Sequence, residues 1–174
     1  QPHKANLEKI PQLRPAFAEN GTITPANSSS ISDGASALLL ASEAAVEAHG
    51  LTARARIVAH SRNSLAPEAF TLAPIGAAED VLAKAGWTVA DVDLWEINEA
   101  FAMVTMLTVD ALKLDPACVN VHGGACAQGH PIGSTGSRII VTLMHALEHY
   151  GKKRGVAALC IGGGEATAVA IELV

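Results

Sequence analysis

The chain has 174 residues and a mass of 17.9 kDa, enough for one domain with a sizeable core or for two very small ones. Charged residues make up only 17%, hydrophobic residues make up 49%, and the formal net charge is −5. This composition excludes a disordered segment and a nucleic-acid-binding protein that works through a basic face.

The cysteines and the first residues bear on metal binding, cellular location and how the chain begins. Three cysteines, Cys118, Cys126 and Cys160, match neither a disulfide framework nor a zinc site of paired Cys-x-x-Cys motifs, so we expect no metal site and a reducing, cytoplasmic location. No apolar run approaches 18 residues and no targeting segment is visible, so no membrane partner is expected. Residues 1–4 contain no initiator Met, and we expect the chain to begin at a cut.

The N-terminal part is predicted to contain little regular structure. Residues 1–33 are rich in Pro, Gly and Ser and are predicted to be irregular. A short buried strand is expected near 35–41, and then a helix to about residue 49, where Gly50 can end it. The partly alternating pattern from Arg54 to His60 predicts a half-buried strand that begins a second unit.

The remaining sequence alternates predicted strands and helices, which favours an α/β layered fold. Apolar periodicity predicts helices over 74–85, after residue 101, and over 139–147. Strands are predicted over 93–97, 119–121, 157–161 and 167–173, and the last two could form an antiparallel hairpin.

The first candidate site is the motif Asn98-Glu99-Ala100-Phe101, where a predicted strand gives way to a helix. Loops at such positions commonly carry the chemistry of α/β folds. An Asn at a helix start is also a common N-cap, so a purely structural role is an equally open interpretation of this motif alone.

The second candidate site is a glycine-rich loop over 123–136 that contains His130. Its spacing matches neither a P-loop nor a clean dinucleotide-binding motif, which disfavours a nucleotide site. His130 lies between Gly129 and Pro131, and a histidine suits acid–base work because its ordinary pKa is near neutrality. A structural loop histidine is the alternative.

The third candidate site is the motif Cys160-Ile161-Gly162-Gly163-Gly164. A cysteine that ends an apolar strand is often an inert buried thiol. The three glycines favour a functional role, because they leave backbone N–H groups open to a developing oxyanion beside a thiol. The other cysteines and histidines are interpreted as structural: Cys118, Cys126, His3, His49, His60, His122, His145 and His149.

In this order, the three motifs resemble the active-site signatures that thiolases carry in the C-terminal half of their sequence. The resemblance covers essentially all 174 residues and includes the segments 13–17 and 27–34. It implies a thiolase-like layered α-β-α fold with a mixed five-stranded sheet. Residues 1–53 would complete the N-terminal domain, and residues 54–174 would form the C-terminal domain.

The resemblance also implies a function, acyl transfer between a 3-oxoacyl-CoA and coenzyme A or the reverse condensation. His130 would activate a nucleophilic cysteine and, with a water held by Asn98, stabilise the enolate. Cys160 would be the second, proton-transferring thiol, and the N–H of Gly162 would stabilise the oxyanion. Three further residues would line the coenzyme A channel, namely Ser29, Ala100 and Phe101.

One element of that chemistry is missing, because no cysteine precedes residue 118. The expected partners are therefore a thiolase N-terminal half that brings the nucleophile, acyl-CoA and coenzyme A as substrates without a covalent cofactor, and further copies in a dimeric or tetrameric complete enzyme. By itself the chain is expected to be inactive.

Two other interpretations remain. A β-ketoacyl synthase fits less well, because Asn98 and Cys160 do not match the two-histidine pattern of those enzymes. The other is a non-catalytic module of thiolase fold that binds acyl-CoA or supports assembly.

Overall fold

A four-stranded mixed sheet forms the centre of the computed structural model, which describes residues 5–174. The strands are β1 (Ala55–Ser64), β2 (Leu94–Ile97), β3 (Arg154–Cys160) and β4 (Glu165–Leu173). They lie in the order β1-β4-β3-β2. β4 is antiparallel to both of its neighbours, whereas β2 runs parallel to β3. β1 pairs with β4 alone within the described residues, and its register shifts between Ile57 and Ala59.

Helices connect the strands and cover the sheet. The α-helices are α1 (Glu43–Ala48), α2 (Ala73–Ala85), α3 (Ala102–Leu112), α4 (Ala125–Gln128) and α5 (Thr135–His149). Short 3-10 helices span Leu7–Gln12, Pro67–Leu72, Val89–Asp91 and Pro116–Cys118. Across residues 5–174, none of the helices combines the length and the apolar character needed to cross a membrane.

Each face of the sheet buries its own apolar cluster, because successive side chains of a strand point to opposite faces. Trp95 and Ile97 of β2 pack in the cluster that contains the buried face of α2. Leu94 packs in the other cluster, with Leu143 and Leu147 of α5. The result is the predicted α-β-α layering, and it places the side chains of residues 94, 96 and 98 on the α5 face.

Most of the predicted elements are confirmed. The helix expected over 74–85 is α2, and the last two strands form the antiparallel hairpin β3–β4. The strand expected from Arg54 to His60 is β1, which continues to Ser64. The irregular segment 1–33 is largely confirmed from residue 5 onward, apart from one 3-10 helix, while residues 1–4 and hence His3 lie outside the described part.

Two predicted strands are wrong. Residues 35–41 form no strand, since their backbone pairs with no other strand among the described residues, and Leu39 and Leu40 are 86% and 69% exposed. The expected fifth strand at 119–121 is reduced to a single parallel bridge between Val119 and Trp95. It ends there because Asn120 has a left-handed backbone with φ 48°. The mixed sheet thus has four strands, not five.

The contact between α5 and the sheet gives a testable expectation for stability. Leu143 is fully buried and lies so close to β3 that a Cβ at Gly155 would come within 2.7 Å of its Cδ1 atom. We expect Leu143→Ala to lower the free energy of unfolding by roughly 2–5 kcal/mol, measured by urea denaturation, because it leaves a cavity. Met106→Ala is the control, since Met106 is 67% exposed on α3 and its loss should change stability little. A loss below about 1 kcal/mol for Leu143→Ala would contradict this tight packing.

Candidate active site

The parallel pairing of β2 with β3 brings two of the candidate motifs to one edge of the sheet. In the register, Ile97 lies opposite Ala158, so Asn98 and Cys160 both follow at the carboxyl ends of these strands. The backbone N–H of Asn98 donates to the carbonyl of Ala158 at 2.9 Å and continues this pairing past the end of β2. Ligands of open α/β sheets bind at this edge.

The glycine-rich loop carries His130 to the same edge. The backbone N–H of His130 donates to the carbonyl of Ser30 at 2.9 Å, and His130 forms an isolated parallel bridge with Ile31. Gly129 has φ +98°, and a Cβ at this position would collide with the Ser32 side chain. Only glycine therefore fits immediately before His130.

The hydrogen bonds of the His130 ring determine which nitrogen carries the proton. The Thr135 hydroxyl donates to the carbonyl of Pro131 at 3.0 Å, so its oxygen is left to accept from Nδ1 of His130, at 2.7 Å. A neutral imidazole with a proton on Nδ1 has its lone pair on Nε2. That Nε2 lies 3.5 Å from the side-chain nitrogen of Asn98. His130 is thus oriented to take up a proton at Nε2.

The surroundings also favour the neutral form of this ring. Burial lowers the pKa of His130 from its ordinary value, and the positive charge of Arg138 lowers it further. An imidazole with a lowered pKa is largely unprotonated at neutral pH, as a general base must be.

Asn98 belongs to the site and not to a helix cap. Its side chain is 1% exposed, and α3 begins only at Ala102, with Phe101 as its N-cap and no side-chain cap bond. The N-cap interpretation is therefore wrong. Nδ2 of Asn98 points to His130, while Oδ1 is buried without a partner among the described residues. An unpaired buried acceptor is costly, which fits an oxygen that binds water or substrate here.

Cys160 ends β3 and has the properties of a proton carrier. Its side chain is buried, and this burial raises the pKa of its thiol. The thiol is therefore protonated at neutral pH. A protonated thiol can give its proton to a carbanion, whereas a nucleophile must be a thiolate. Burial is expected of an inert structural cysteine as well. The role of Cys160 in proton transfer therefore stays a prediction.

The turn after Cys160 leaves a backbone donor open. Ile161 N–H donates to the Glu165 carbonyl at 2.7 Å, and Gly164 N–H donates to the Ile161 carbonyl at 3.1 Å. Gly162 is exposed, and its N–H donates to no carbonyl of residues 5–174. A Cβ at Gly162 would meet nothing within 4 Å, so the space on the Cβ side of this residue is open.

The three residues predicted for the coenzyme A channel lie together. The backbone N–H and the hydroxyl of Ser29 both donate to the Ala100 carbonyl, at 3.2 and 2.9 Å. Phe101 forms an antiparallel bridge with Ser28 and makes edge-on ring contacts with Phe17 and Phe70 at centroid distances of 5.9 and 6.2 Å. These contacts form a partly apolar wall next to Asn98.

Sequence reasoning gave no role to Glu99, although it lies inside the first motif. Its carboxylate accepts from the backbone N–H of Cys126 at 3.0 Å and from Nδ2 of Asn120 at 3.4 Å. A Cβ at Gly124 would overlap this carboxylate. Burial and the charge of Glu99 raise the pKa of Cys126 to about 11, so this thiol stays protonated, in line with a structural interpretation.

A second carboxylate was also missed. Glu96 is 2% exposed on β2, with Oε2 3.6 Å from Nη1 of Arg138 and Oε1 without a partner among the described residues. Burial raises the pKa of Glu96 to about 7 despite the attraction of Arg138. The signal was visible, since Glu96 interrupts an otherwise apolar strand. In the described part of the chain, no three His, Cys, Asp or Glu side chains are grouped so that they could hold an ion.

Comparison with known proteins matches this chain to one family. The family model described as thiolase, C-terminal domain, matches residues 51–173, and the model described as thiolase, N-terminal domain, matches residues 1–44. The chain belongs to the thiolase family. This confirms the resemblance that the three motifs indicated.

Relatives and solved structures of thiolases agree with this assignment. The chain is 48% identical over 172 residues to the cytosolic acetyl-CoA acetyltransferase of Mus musculus. This match covers 98% of the chain and 43% of the relative. The crystal structure of the Bacillus anthracis acetyl-CoA acetyltransferase superposes with a TM-score of 0.95 at 41% identity, over 98% of the chain and 43% of that structure. Human mitochondrial 3-ketoacyl-CoA thiolase in complex with CoA gives a TM-score of 0.90 at 38% identity, over the same shares of the two chains. The chain thus spans less than half the length of the thiolases it matches.

Glu96 gives this site a measurable pH dependence. Because its pKa rises from 4.5 to about 7 on folding, the native chain holds a proton that the unfolded chain has released between these values. The contribution of Glu96 to stability therefore falls as pH rises through this window. We expect the free energy of unfolding of Glu96→Gln, minus that of the wild type, to increase from pH 4.5 to above pH 7 in urea denaturation series.

Taking the difference between Glu96→Gln and the wild type removes the opposite contribution of His130, which both proteins share. Because the pKa of His130 is lowered, its contribution to stability falls as pH drops below the ordinary pKa of histidine. Glu79→Gln, which removes an exposed carboxylate of α2, is the matched control for the loss of one charge. A Glu96→Gln difference that does not vary with pH would show that Glu96 titrates normally.

Proposed function

We propose that this chain provides the acid–base and oxyanion-binding groups of a thiolase, which transfers an acyl group between a 3-oxoacyl-CoA and coenzyme A. The observation that carries the proposal is the Asn98–His130 pair, set at the sheet edge where Cys160 ends the neighbouring strand. The acetyl-CoA acetyltransferases among its relatives support the reaction class.

His130 is the base in this proposal. Its Nε2 lone pair takes the proton of a nucleophilic thiol, which then attacks the 3-oxo carbon of the substrate. The C2–C3 bond breaks, and its electron pair forms the enolate of acetyl-CoA. The protonated Nε2, together with a water on the Asn98 amide, stabilises the negative oxygen of this enolate.

Cys160 and Gly162 complete the step. The Cys160 thiol gives its proton to C2 of the enolate, and acetyl-CoA leaves. A new coenzyme A thiol then gives its proton to the Cys160 thiolate and attacks the acyl carbon. The nucleophile leaves this carbon as a thiol, with the proton that His130 has held, and acyl-CoA is released. The open N–H of Gly162 donates to the oxyanion that forms at the acyl carbon during attack and release. The reverse sequence is a Claisen condensation.

Coenzyme A binding is assigned to the wall formed by Ser29, Ala100 and Phe101. Solved thiolases that hold coenzyme A support this class of ligand. The Ser29 hydroxyl donates to Ala100 and keeps its oxygen lone pairs for an amide N–H of the pantetheine arm. Coenzyme A is a substrate here, and no covalent cofactor is needed.

The nucleophile must come from outside residues 1–174, because no cysteine precedes Cys118 and the thiolase relatives are more than twice as long. We assign it to a thiolase N-terminal half, with residues 1–53 completing the domain of that half and residues 54–174 forming the C-terminal domain. Dimers or tetramers of the complete enzyme, and a reducing cytoplasmic location, belong to the same proposal. The three free thiols fit such a location.

A non-catalytic acyl-CoA-binding or assembly module is the second candidate. The wall formed by Ser29, Ala100 and Phe101 favours it, since a binding module needs such a wall and no nucleophile. The β-ketoacyl synthase interpretation has no comparable support, because both family models are those of thiolases.

Reconstitution separates the two candidates. Acetoacetyl-CoA thiolysis is measured with this chain alone, with a thiolase N-terminal half that carries the nucleophile, and with both refolded together. We expect activity only in the mixture, because each part holds a portion of the catalytic groups. Activity of the chain alone would refute the mechanism, and an inactive mixture in which the chain still binds coenzyme A would support the binding module.

Substitutions in the active mixture test the individual roles. We expect His130→Ala and Cys160→Ala each to lower the rate of thiolysis by about 10²–10⁴-fold, the usual contribution of a positioned acid or base. Cys118→Ser is the control, because Cys118 lies in the 3-10 helix before the bridge to β2 and has no role in the reaction. A near-normal rate in either alanine variant would overturn the role given to that residue.

A further inference from the structure

Asn120 has a backbone conformation that most residues avoid. Its φ of 48° lies in the left-handed region, which asparagine tolerates better than most side chains other than glycine. Its N–H donates to the Trp95 carbonyl at 2.8 Å, directly after the bridge between Val119 and Trp95. The short strand predicted here therefore ends after one bridge and turns its next side chain back toward β2.

The Asn120 side chain takes the place of a neighbouring strand. Its Oδ1 accepts from the N–H of Ile97 at 2.8 Å, and its Nδ2 donates to the carbonyl of Ile97 at 2.8 Å. A strand residue makes both kinds of bond with the neighbour on one side. The next N–H along the chain, that of Asn98, points the other way and donates to Ala158 of β3. The end of β2 is thus held from both sides.

A second set of contacts links Asn120 to the loop that carries His130. The Asn120 carbonyl accepts from Gly123 N–H at 2.7 Å, where the glycine-rich loop begins. Nδ2 of Asn120 also lies 3.4 Å from the Glu99 carboxylate, which in turn accepts from the backbone N–H of Cys126. Asn120 therefore contacts both of the segments whose ends meet at the Asn98–His130 pair.

We propose that Asn120 is a positioning residue of this site, which fixes the Asn98 amide opposite Nε2 of His130. The inference rests on the proposed function, because Asn120 can affect the reaction only if Asn98 and His130 take part in it. Asn120 itself makes no contact with them among the described hydrogen bonds, so it acts on the reaction only through Ile97, Glu99 and the loop.

Loss of the side chain has a defined local effect. The Ile97 carbonyl keeps a bond from the Thr105 hydroxyl at 3.1 Å, but the N–H of Ile97 is left without its partner. Ile97 is 1% exposed, so this donor cannot easily turn to water. The end of β2 is then free to shift, and the Asn98 side chain shifts with it.

The test uses Asn120→Gly, which tolerates the left-handed backbone and removes only the side chain. In NMR spectra of the chain itself, we expect the nuclear Overhauser contact between the Asn98 amide protons and the His130 ring to weaken or vanish. Exchange of those amide protons with water should become faster. In the active mixture, kcat for thiolysis should fall by up to about 10²-fold, the loss that a misplaced group typically causes, with KM changing far less.

Ser61→Ala is the matched control for lost stability. The Ser61 hydroxyl is buried and donates to the Ala77 carbonyl between β1 and α2, away from the site. This variant should lose a comparable free energy of unfolding and keep the Asn98–His130 contact and kcat. Were Asn120→Gly to behave like Ser61→Ala in the spectra and in kcat, Asn120 would be a stabilising residue only and the proposal would be wrong.

A replacement variant and a measurement that needs no turnover allow the proposal to be tested in every case. If Asn120→Gly does not fold, Asn120→Asp replaces it. The aspartate sets a negatively charged oxygen against the Ile97 carbonyl and the Glu99 carboxylate, where the amide nitrogen donated, and this repulsion should displace the end of β2. The same spectral loss supports the proposal, and an unchanged contact overturns it. The NMR arm needs no turnover, so an inactive mixture would count against the proposed function and leave the test of Asn120 intact.

Discussion

The parallel pairing of β2 with β3 is the constraint on which the site depends. The two strands share only four paired positions, yet their direction brings the residues that follow them to one edge of the sheet. Parallel neighbours require a long crossover connection, which here runs from Asn98 to Lys153 and contains the glycine-rich loop. All three motifs therefore meet because of one strand pair and its connection.

Burial favours the neutral form of several titratable groups at this edge of the sheet. Burial, above all, lowers the pKa of His130 and raises those of Cys160 and Glu96. Each shift favours the uncharged form, because a medium of low polarity disfavours an isolated charge. Arg138 and Glu99 are charged exceptions. The guanidinium of Arg138 lies 3.6 Å from Glu96 and lowers the pKa of His130, and the charge of Glu99 raises the pKa of Cys126.

Sequence reasoning found what depends on local pattern and missed what depends on distant contacts. The apolar periodicity of α2 and α5 and the three motifs were readable directly. The segment 35–41 has a strand-like composition but no backbone partner within the described residues, and Asn120 interrupts the strand expected at 119–121. The roles of Glu99 and Asn120 depend on hydrogen bonds between residues 21–27 positions apart, which no local pattern reveals.

The register shift in β1 has a consequence for how copies of this chain behave in solution. β1 is ten residues long and has one open side within the described part of the chain, which is the usual template for unwanted strand addition. The irregularity between Ile57 and Ala59 interrupts that template, and the exposed Arg56 and Arg62 place like charges on any second copy that approaches it. The longest strand of the sheet thus carries two features that disfavour edge-to-edge pairing.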